Sequence, residues 1–184
     1  MLPATTALLL IDCQKAWDDP YWGERNNPGA EGQIARLLAA FRAAGRPVLH
    51  VKHNAKDPNS PLHPSEPGNA FKPEAAPLPG EPIFEKTVHT AFLGTGLEAW
   101  LREHEIDRLV IAGFITNWCV SSTARMANNL GFKVVVVHDA CATFPFEDPF
   151  GEIVPAETLH RVGLTELHGA FAMVLGTEDL IGTV

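Results

Sequence analysis

Three side chains that can carry out nucleophilic chemistry follow short apolar runs in this sequence. Asp12 comes directly after the run TALLLI, Lys86 comes directly after PIFE, and Cys119 lies a few residues beyond LVIAG. A thiolate is a strong nucleophile, a carboxylate can accept the thiol proton, and an ammonium group stabilises negative charge on sulfur. These residue types indicate a nucleophilic cysteine, Cys119, assisted by Asp12 and Lys86.

The apolar runs predict the strands that position these side chains, because short continuous runs are typical of strands buried on both faces. We expect strands over 6–11, 47–51, 82–85, 109–113, 132–137 and 170–175, alternating with helices over 30–44, 97–104, 117–130 and 156–168 and a short helix from 177. The alternation predicts an α/β fold of three layers around a six-stranded, mostly parallel sheet. Ligands bind beyond the carboxyl ends of such strands, where the three reactive side chains fall.

Cys119 lies where a strand leads into a helix, near the positive end of the helix dipole. That position lowers the pKa of a thiol, so we expect a thiolate near neutral pH. The other two cysteines, Cys13 and Cys141, fit no disulfide or zinc pattern together with Cys119. We expect both to be small buried apolar residues.

Composition excludes several function classes. The 184 residues are 46% hydrophobic and 20% charged, as in an ordinary globular protein, and we expect one domain over 1–184. The net charge of −8 disfavours nucleic acid or an anionic membrane as a partner. The apolar run at 7–11 is too short for a signal peptide or a membrane span, so we expect a cytoplasmic protein with reduced cysteines.

The connection from His53 to Pro82 shows no helical or strand period and is rich in proline. A structureless connection of this length is uncommon inside a domain. Two interpretations remain open: a wall or lid of the functional site, and a surface excursion or dimer-contact arm.

Three stretches resemble the isochorismatase-like cysteine hydrolases, a family that includes nicotinamidase, N-carbamoylsarcosine amidase and ureidoacrylate amidohydrolase. They are ALLLIDCQ, FEKTVHTAF and GFITNWCVSSTARMANNLGFKVVVVHDAC. The resemblance implies the isochorismatase-like hydrolase fold and a catalytic triad of Asp12, Lys86 and Cys119. It also implies a cis peptide bond between Phe114 and Ile115 and an oxyanion hole made by the backbone N–H groups of Ile115 and Cys119.

The histidines bear on whether a metal is bound. Nicotinamidases of this family carry an Asp-x-His metal segment, whereas the corresponding stretch here, VKHNAKD, has His53 near the Asp position and Ala55 near the first His position. His50 and His53 lie three apart on a strand and so point to opposite faces. His63 and His89 could join them only through folding of the long connection. We therefore expect no metal and no other cofactor, and treat His53 and His89 as candidates for substrate contact.

Four aromatic residues lie close in sequence to the reactive positions: Trp17, Phe92, Trp118 and Phe144. We expect them to line a substrate pocket, with ordinary core packing as the alternative. Asp139, which follows the strand over 132–137, is better explained as a helix or turn cap than as a site residue.

Taken with the resemblance, these residues predict a metal-independent cysteine hydrolase of a small amide, carbamoyl or ureido compound, acting through a thioester on Cys119. One alternative is a vinyl-ether hydrolase of the isochorismatase type, although such enzymes generally lack the thiol. Another is a flavodoxin-like binding or redox-sensing protein with a reversibly oxidised Cys119. The resemblance also implies a homo-oligomer, either a dimer or a tetramer.

Overall fold

Alternating strands and helices build the molecule, as seen in a computed structural model that describes residues 1–184. The strands are β1 (Thr6–Ile11), β2 (Val48–His53), β3 (Ile83–Lys86), β4 (Arg108–Phe114), β5 (Lys133–Ala142), β6 (Phe146–Glu147), β7 (Ile153–Val154) and β8 (Met173–Leu175). The α-helices are α1 (Ala30–Ala43), α2 (Leu97–Glu103), α3 (Ser121–Asn129), α4 (Ala156–Leu167) and α5 (Thr177–Ile181). None of these helices is long and apolar enough to cross a membrane.

Six strands form one parallel sheet in the order β3-β2-β1-β4-β5-β8, which confirms the predicted α/β fold. Successive side chains of β1 enter two separate cores: Leu8 and Leu10 pack with α1 on one face, and Leu9 and Ile11 pack with α2 and α3 on the other. All six residues of β1 are buried. A strand covered on both faces requires the continuous apolar run that the sequence shows.

The strand order reverses direction at the centre of the sheet. From β1 the chain proceeds outward through β2 to β3, and it then crosses to the other side of β1 to form β4 and β5. Side chains that follow β1 and β4 therefore face each other across the switch point, which is where ligands bind in open α/β sheets.

Strand β5 is longer than predicted and continues to Ala142. Its pairing with β4 shifts register between Ile111 and Gly113, and His138 and Asp139 lie at this irregularity, inside the strand and not beyond its end. His138 and Asp139 interrupt the apolar pattern there, which is why the predicted strand ended at residue 137. Asp139 accepts hydrogen bonds from the Thr177 N–H and hydroxyl at the start of α5, so its predicted capping role is confirmed.

Two further segments differ from the predicted helix and loop. The predicted helix over 117–130 consists of a π-helical turn, Thr116–Val120, followed by α3. The predicted loop over 143–155 contains the small antiparallel ribbon of β6 and β7. Both deviations are local, and the π-helical turn carries the candidate nucleophile.

The long connection between β2 and β3 is packed against the end of β1. It contains short 3₁₀ turns at Pro67–Asn69 and Pro73–Ala75. The buried Asn69 amide donates to the carbonyls of His53 and Leu62, and the Gln14 amide donates to the Asn69 carbonyl. These contacts fix the connection as a wall beside the residues that follow β1.

Candidate active site

The ends of β1, β3 and β4 bring the three reactive side chains together. Lys86 Nζ lies 2.7 Å from Asp12 Oδ2 and 3.2 Å from Cys119 Sγ. Asp12 is completely buried, and Lys86 and Cys119 are 2% and 5% exposed. A carboxylate, an ammonium and a sulfur thus share a site from which bulk water is largely excluded.

Backbone geometry explains how β1 and β4 approach so closely here. Gly113 has φ +127°, and a Cβ at this position would lie 2.1 Å from the Ile11 carbonyl oxygen. Asp12 itself adopts φ +50°, a left-handed conformation that aspartate tolerates better than most residues. The peptide bond between Phe114, the last residue of β4, and Ile115 is cis. Glycine and aspartate at these positions let the chain turn sharply at the switch point.

The protonation behaviour of Cys119 differs from the prediction. Burial and the neighbouring Asp12 carboxylate raise the pKa of the Cys119 thiol, and the Lys86 ammonium only partly opposes them. The expectation of a thiol pKa lowered by the helix dipole was therefore wrong, because loss of hydration outweighs the dipole at a buried site. The thiol is neutral until a base removes its proton.

The pKa shifts of Asp12 and Lys86 have the directions that suit such a base and its partner. Burial raises the pKa of Asp12 above its ordinary value, although the Lys86 ammonium acts in the opposite direction. Burial acts to lower the pKa of Lys86, but Asp12 and Cys119 raise it above its ordinary value. Lys86 therefore remains an ammonium at neutral pH, and Asp12 is a stronger base than an exposed aspartate.

His53 is a fourth member of this cluster. Its Nδ1 lies 2.9 Å from Lys86 Nζ. Burial, together with Lys86 and His89, lowers the pKa of His53 to about 4, so the ring is neutral at pH 7. His53 was predicted as a candidate for substrate contact, but its bond to Lys86 was not predicted, since only the register of β2 against β3 makes these two residues neighbours.

The cluster also contains atoms that could bind a metal ion. Ligand atoms of Asp12, His53 and Cys119 lie within 4.8 Å of one another. The Lys86 ammonium, however, is within 3.2 Å of all three, so a cation already occupies the position between them. A divalent ion would meet its charge at short range. Two further histidines that were considered for a metal site have other partners: His50 contacts Glu81, and His63 contacts Ser65.

The remaining candidate residues fall into two groups. His89 and Trp118 are near the sulfur: His89 Nδ1 is 3.7 Å from Cys119 Sγ, and the His89 ring packs edge-on to Trp118. Trp17 and Phe144 are buried against each other in the core beneath the site, and the Trp17 indole donates to the Asp12 carbonyl. Phe92 stacks on Phe132 in the opposite core.

A cavity of about 410 Å³ adjoins His53. Aromatic and polar side chains surround it, among them Tyr21, Trp22, Lys56, Asn59 and Thr87. The cavity is large enough for a small organic molecule, and His53 connects it to the buried cluster.

Gln14 is a supporting residue that the sequence did not reveal. Its side-chain oxygen accepts from the His53 N–H at 2.8 Å, and its amide nitrogen donates to the His53 carbonyl at 3.0 Å. Gln14 ends the stretch ALLLIDCQ that resembles the family, but nothing in the sequence indicates which backbone groups its side chain binds.

Comparison with known proteins supports the resemblance seen in the sequence. The family model described as the isochorismatase domain matches residues 6–179. Isochorismatase family protein YrdC of Bacillus subtilis is 42% identical over 175 residues, which cover 95% of this chain and 94% of that protein. A solved structure of an isochorismatase-family protein from Chromobacterium violaceum has a TM-score of 0.95 and 45% identity, and covers 99% of this chain and 94% of that one.

Relatives whose names state an activity are more distant. Streptothricin hydrolase of Streptomyces noursei is 35% identical over 160 residues, 84% of this chain and 56% of that protein. Ureidoacrylate amidohydrolase RutB of Methylobacterium radiotolerans is 30% identical over 211 residues, 94% of this chain and 76% of that protein. A cysteine hydrolase from Pseudomonas syringae pv. phaseolicola has a TM-score of 0.89 at 25% identity, covering 99% of this chain and 93% of that one. With the domain match and the near full-length relatives, these similarities show that the chain belongs to the isochorismatase family of hydrolases.

Proposed function

We propose that this hydrolase is a cysteine-dependent amidohydrolase that cleaves a small amide, carbamoyl or ureido compound. The observation that carries the proposal is the buried contact of Lys86 with both Asp12 and Cys119, at 2.7 and 3.2 Å. The names of two relatives, streptothricin hydrolase and ureidoacrylate amidohydrolase, support hydrolysis of this kind.

The first half of the proposed reaction forms a thioester. Asp12 accepts the Cys119 proton as the sulfur attacks the carbonyl carbon, and the carbonyl π electrons move to oxygen. Lys86 stays protonated and stabilises the negative charge on sulfur as it develops. Loss of the proton to Asp12, not a resting thiolate, generates the nucleophile, which agrees with the raised pKa of the Cys119 thiol.

Backbone N–H groups of Ile115 and Cys119 are proposed to bind the oxyanion. The Ile115 N–H donates to no acceptor within the chain, so it is free to donate to a bound substrate. Removing one oxyanion donor typically costs about 3–4 kcal/mol of transition-state stabilisation. The oxyanion hole would therefore matter as much as the charged side chains.

The second half releases the products. The C–N bond breaks as the protonated Asp12 gives its proton to the leaving nitrogen, so that an amine or ammonia departs. Asp12 then removes a proton from water and the hydroxide attacks the thioester carbonyl. The C–S bond breaks as Asp12 returns that proton to sulfur, which restores the thiol and the carboxylate. A vinyl-ether hydrolase needs an acid to protonate the alkene and has no use for a thiol, so the position of Cys119 favours the amide.

A panel of small amides, ureas and carbamates, assayed for release of ammonia or amine, tests the proposal. We expect turnover of at least one compound by the wild type, turnover that persists in EDTA, and its loss in Cys119→Ala. Cys141→Ala is the matched control, since it removes a buried thiol from the core and should retain activity. Turnover by Cys119→Ala would contradict the mechanism, and so would loss of wild-type turnover in EDTA.

A further inference from the structure

His53 makes a contact with the reactive cluster that the mechanism above does not use. We propose that His53 is a positioning residue, which holds the Lys86 ammonium against Cys119 by accepting one of its N–H hydrogen bonds. The inference concerns the thiol's environment, and only its relevance to turnover rests on the proposed function.

Lys86 needs an acceptor for each of its N–H groups. An ammonium group has three N–H donors and no acceptor. Lys86 Nζ forms an ion pair with Asp12 Oδ2 at 2.7 Å, and it lies at hydrogen-bonding distance from His53 Nδ1, at 2.9 Å, and from Cys119 Sγ, at 3.2 Å. Its side chain is completely buried, so water does not supply a replacement acceptor. Loss of the imidazole would leave a buried charged donor unsatisfied, which is strongly unfavourable.

The contact with Lys86 also determines the tautomer of His53. Because the ammonium can only donate, Nδ1 must carry the lone pair, and the neutral ring must carry its proton on Nε2. A protonated ring would instead direct an N–H at Nζ and place a second cation 2.9 Å from Lys86. His53 also lines the 410 Å³ cavity, so the Nε2–H is the donor that this ring can offer to a bound molecule.

Hydrogen bonds to its N–H and to its carbonyl hold the backbone of His53 in place. His53 ends β2 and is the register partner of Lys86 on β3. Gln14 bonds both the N–H and the carbonyl of His53, and the Asn69 amide donates to the same carbonyl at 3.1 Å. Supporting amides of this kind hold a side chain within the narrow range of positions that a reactive site requires.

Alkylation of Cys119 by iodoacetamide tests the proposal without any substrate. Cys13 and Cys141 are buried and serve as internal references in the same digest. We compare His53→Leu, which removes the acceptor, with His53→Asn, whose side-chain oxygen can replace Nδ1. At neutral pH we expect the leucine variant to be alkylated about tenfold more slowly than wild type, because an ammonium that is no longer held against the sulfur stabilises the thiolate less. The asparagine variant should be alkylated at a rate within about threefold of the wild-type rate.

Either of two results would overturn the positioning role: a leucine variant alkylated at the wild-type rate, or an asparagine variant as slow as the leucine variant. Thermal unfolding of all three proteins shows whether a slow variant is folded. Absence of amide turnover in the panel would remove the proposed function but would not change the alkylation result.

A second measurement is made on the wild type, and a variant serves only to assign the signal. In ¹⁵N-labelled protein at neutral pH, we expect the His53 ring to be neutral, with a hydrogen on Nε2 and none on Nδ1. The His53→Asn spectrum assigns the resonance by its absence. A ring that carries its hydrogen on Nδ1, or on both nitrogens, would contradict the bond to Lys86.

Discussion

Within the reactive cluster, a carboxylate oxygen of Asp12 lies within 4.8 Å of the Cys119 sulfur, and Asp12 is the acceptor we propose for the thiol proton. Burial raises the pKa of the thiol and, separately, that of the carboxyl. The two shifts have one cause, loss of hydration, and they affect catalysis differently. The raised thiol pKa makes a resting thiolate unfavourable, whereas the raised Asp12 pKa makes its carboxylate a better base.

Asp12 is the base of the proposed mechanism, which requires its ionised form. The value of kcat/KM should therefore fall as the pH decreases through the pKa of Asp12, which is raised above its ordinary 3.8. The fall of kcat/KM on the acid side of the pH profile should therefore occur at a higher pH than an exposed aspartate would produce. Asp12→Asn, which cannot accept the proton, should lower kcat/KM about 10²- to 10⁴-fold.

Measurement of kcat/KM across the acid range, on whichever amide the panel identifies, checks this prediction. His53→Asn is the comparison, because the pKa of His53 is about 4 and could also produce an acid limb. If the limb disappears in His53→Asn, or if Asp12→Asn retains activity within tenfold of wild type, the assignment of the base is wrong.

At the scale of elements, the approach of β4 to β1 depends on one missing methyl group. A Cβ on Gly113 would lie 2.1 Å from the Ile11 carbonyl oxygen, and the residue has φ +127°. Gly113→Ala should therefore destabilise the protein by about 3–5 kcal/mol or prevent folding, since β1 cannot move away from the added Cβ without displacing Asp12 at its end.

Chemical denaturation measures the change in the free energy of unfolding. Gly32→Ala is the matched control, since Gly32 lies within α1 and a Cβ there meets nothing within 4 Å. That substitution should stabilise the protein by about 0.5–1 kcal/mol. A Gly113→Ala protein as stable as wild type would show that the two strands can separate without cost.

At the β3 edge of the sheet, the carboxylate of Glu81 joins α1, β2 and the connection that precedes β3. Glu81 accepts hydrogen bonds from Arg42 of α1, from His50 of β2 and from the Leu78 N–H. Burial alone would raise the pKa of Glu81, but the bonds from Arg42, Leu78 and His50 lower it to about 2. The folded-state pKa is thus below the ordinary 4.5, so ionised Glu81 stabilises the fold above that pH.

Glu81→Gln should consequently be less stable than wild type by about 1–3 kcal/mol at neutral pH. The difference should shrink as the pH falls from 4.5 toward 2, where wild-type Glu81 becomes protonated. Urea denaturation of both proteins at several pH values measures it. A difference that stays constant with pH would show that the charge of Glu81 does not stabilise this edge.

The elements differ in how well the sequence predicted them. Strands covered on both faces need uninterrupted apolar runs, so β1 and the first half of β5 were predicted correctly. The rest of β5 was missed because His138 and Asp139 interrupt its run, and register shifts are not visible in a hydrophobic pattern. Neighbours across two strands are equally hidden, which is why the contact of His53 with Lys86 emerged only from the structure.

For the molecule as a whole, the sheet separates two cores and also joins them. One core contains Cys13 and the other contains Cys141, and both thiols are at most 1% exposed. Burial raises the pKa of both thiols, that of Cys141 to about 12. Neither thiol should react while the chain is folded, so each one reports the opening of its own core.

Both cores rest on the same strands, because alternate residues of β1 belong to each of them. Opening one face would leave the other without its support, so the two cores should unfold together. In Cys119→Ala, Cys13 and Cys141 should thus be alkylated at the same rate, more than about 10³-fold slower than in the unfolded chain. Peptide mapping after timed labelling in dilute urea measures both rates. If Cys13 reacted much faster than Cys141, the face that carries α1 would open alone, and the sheet would not couple the two cores.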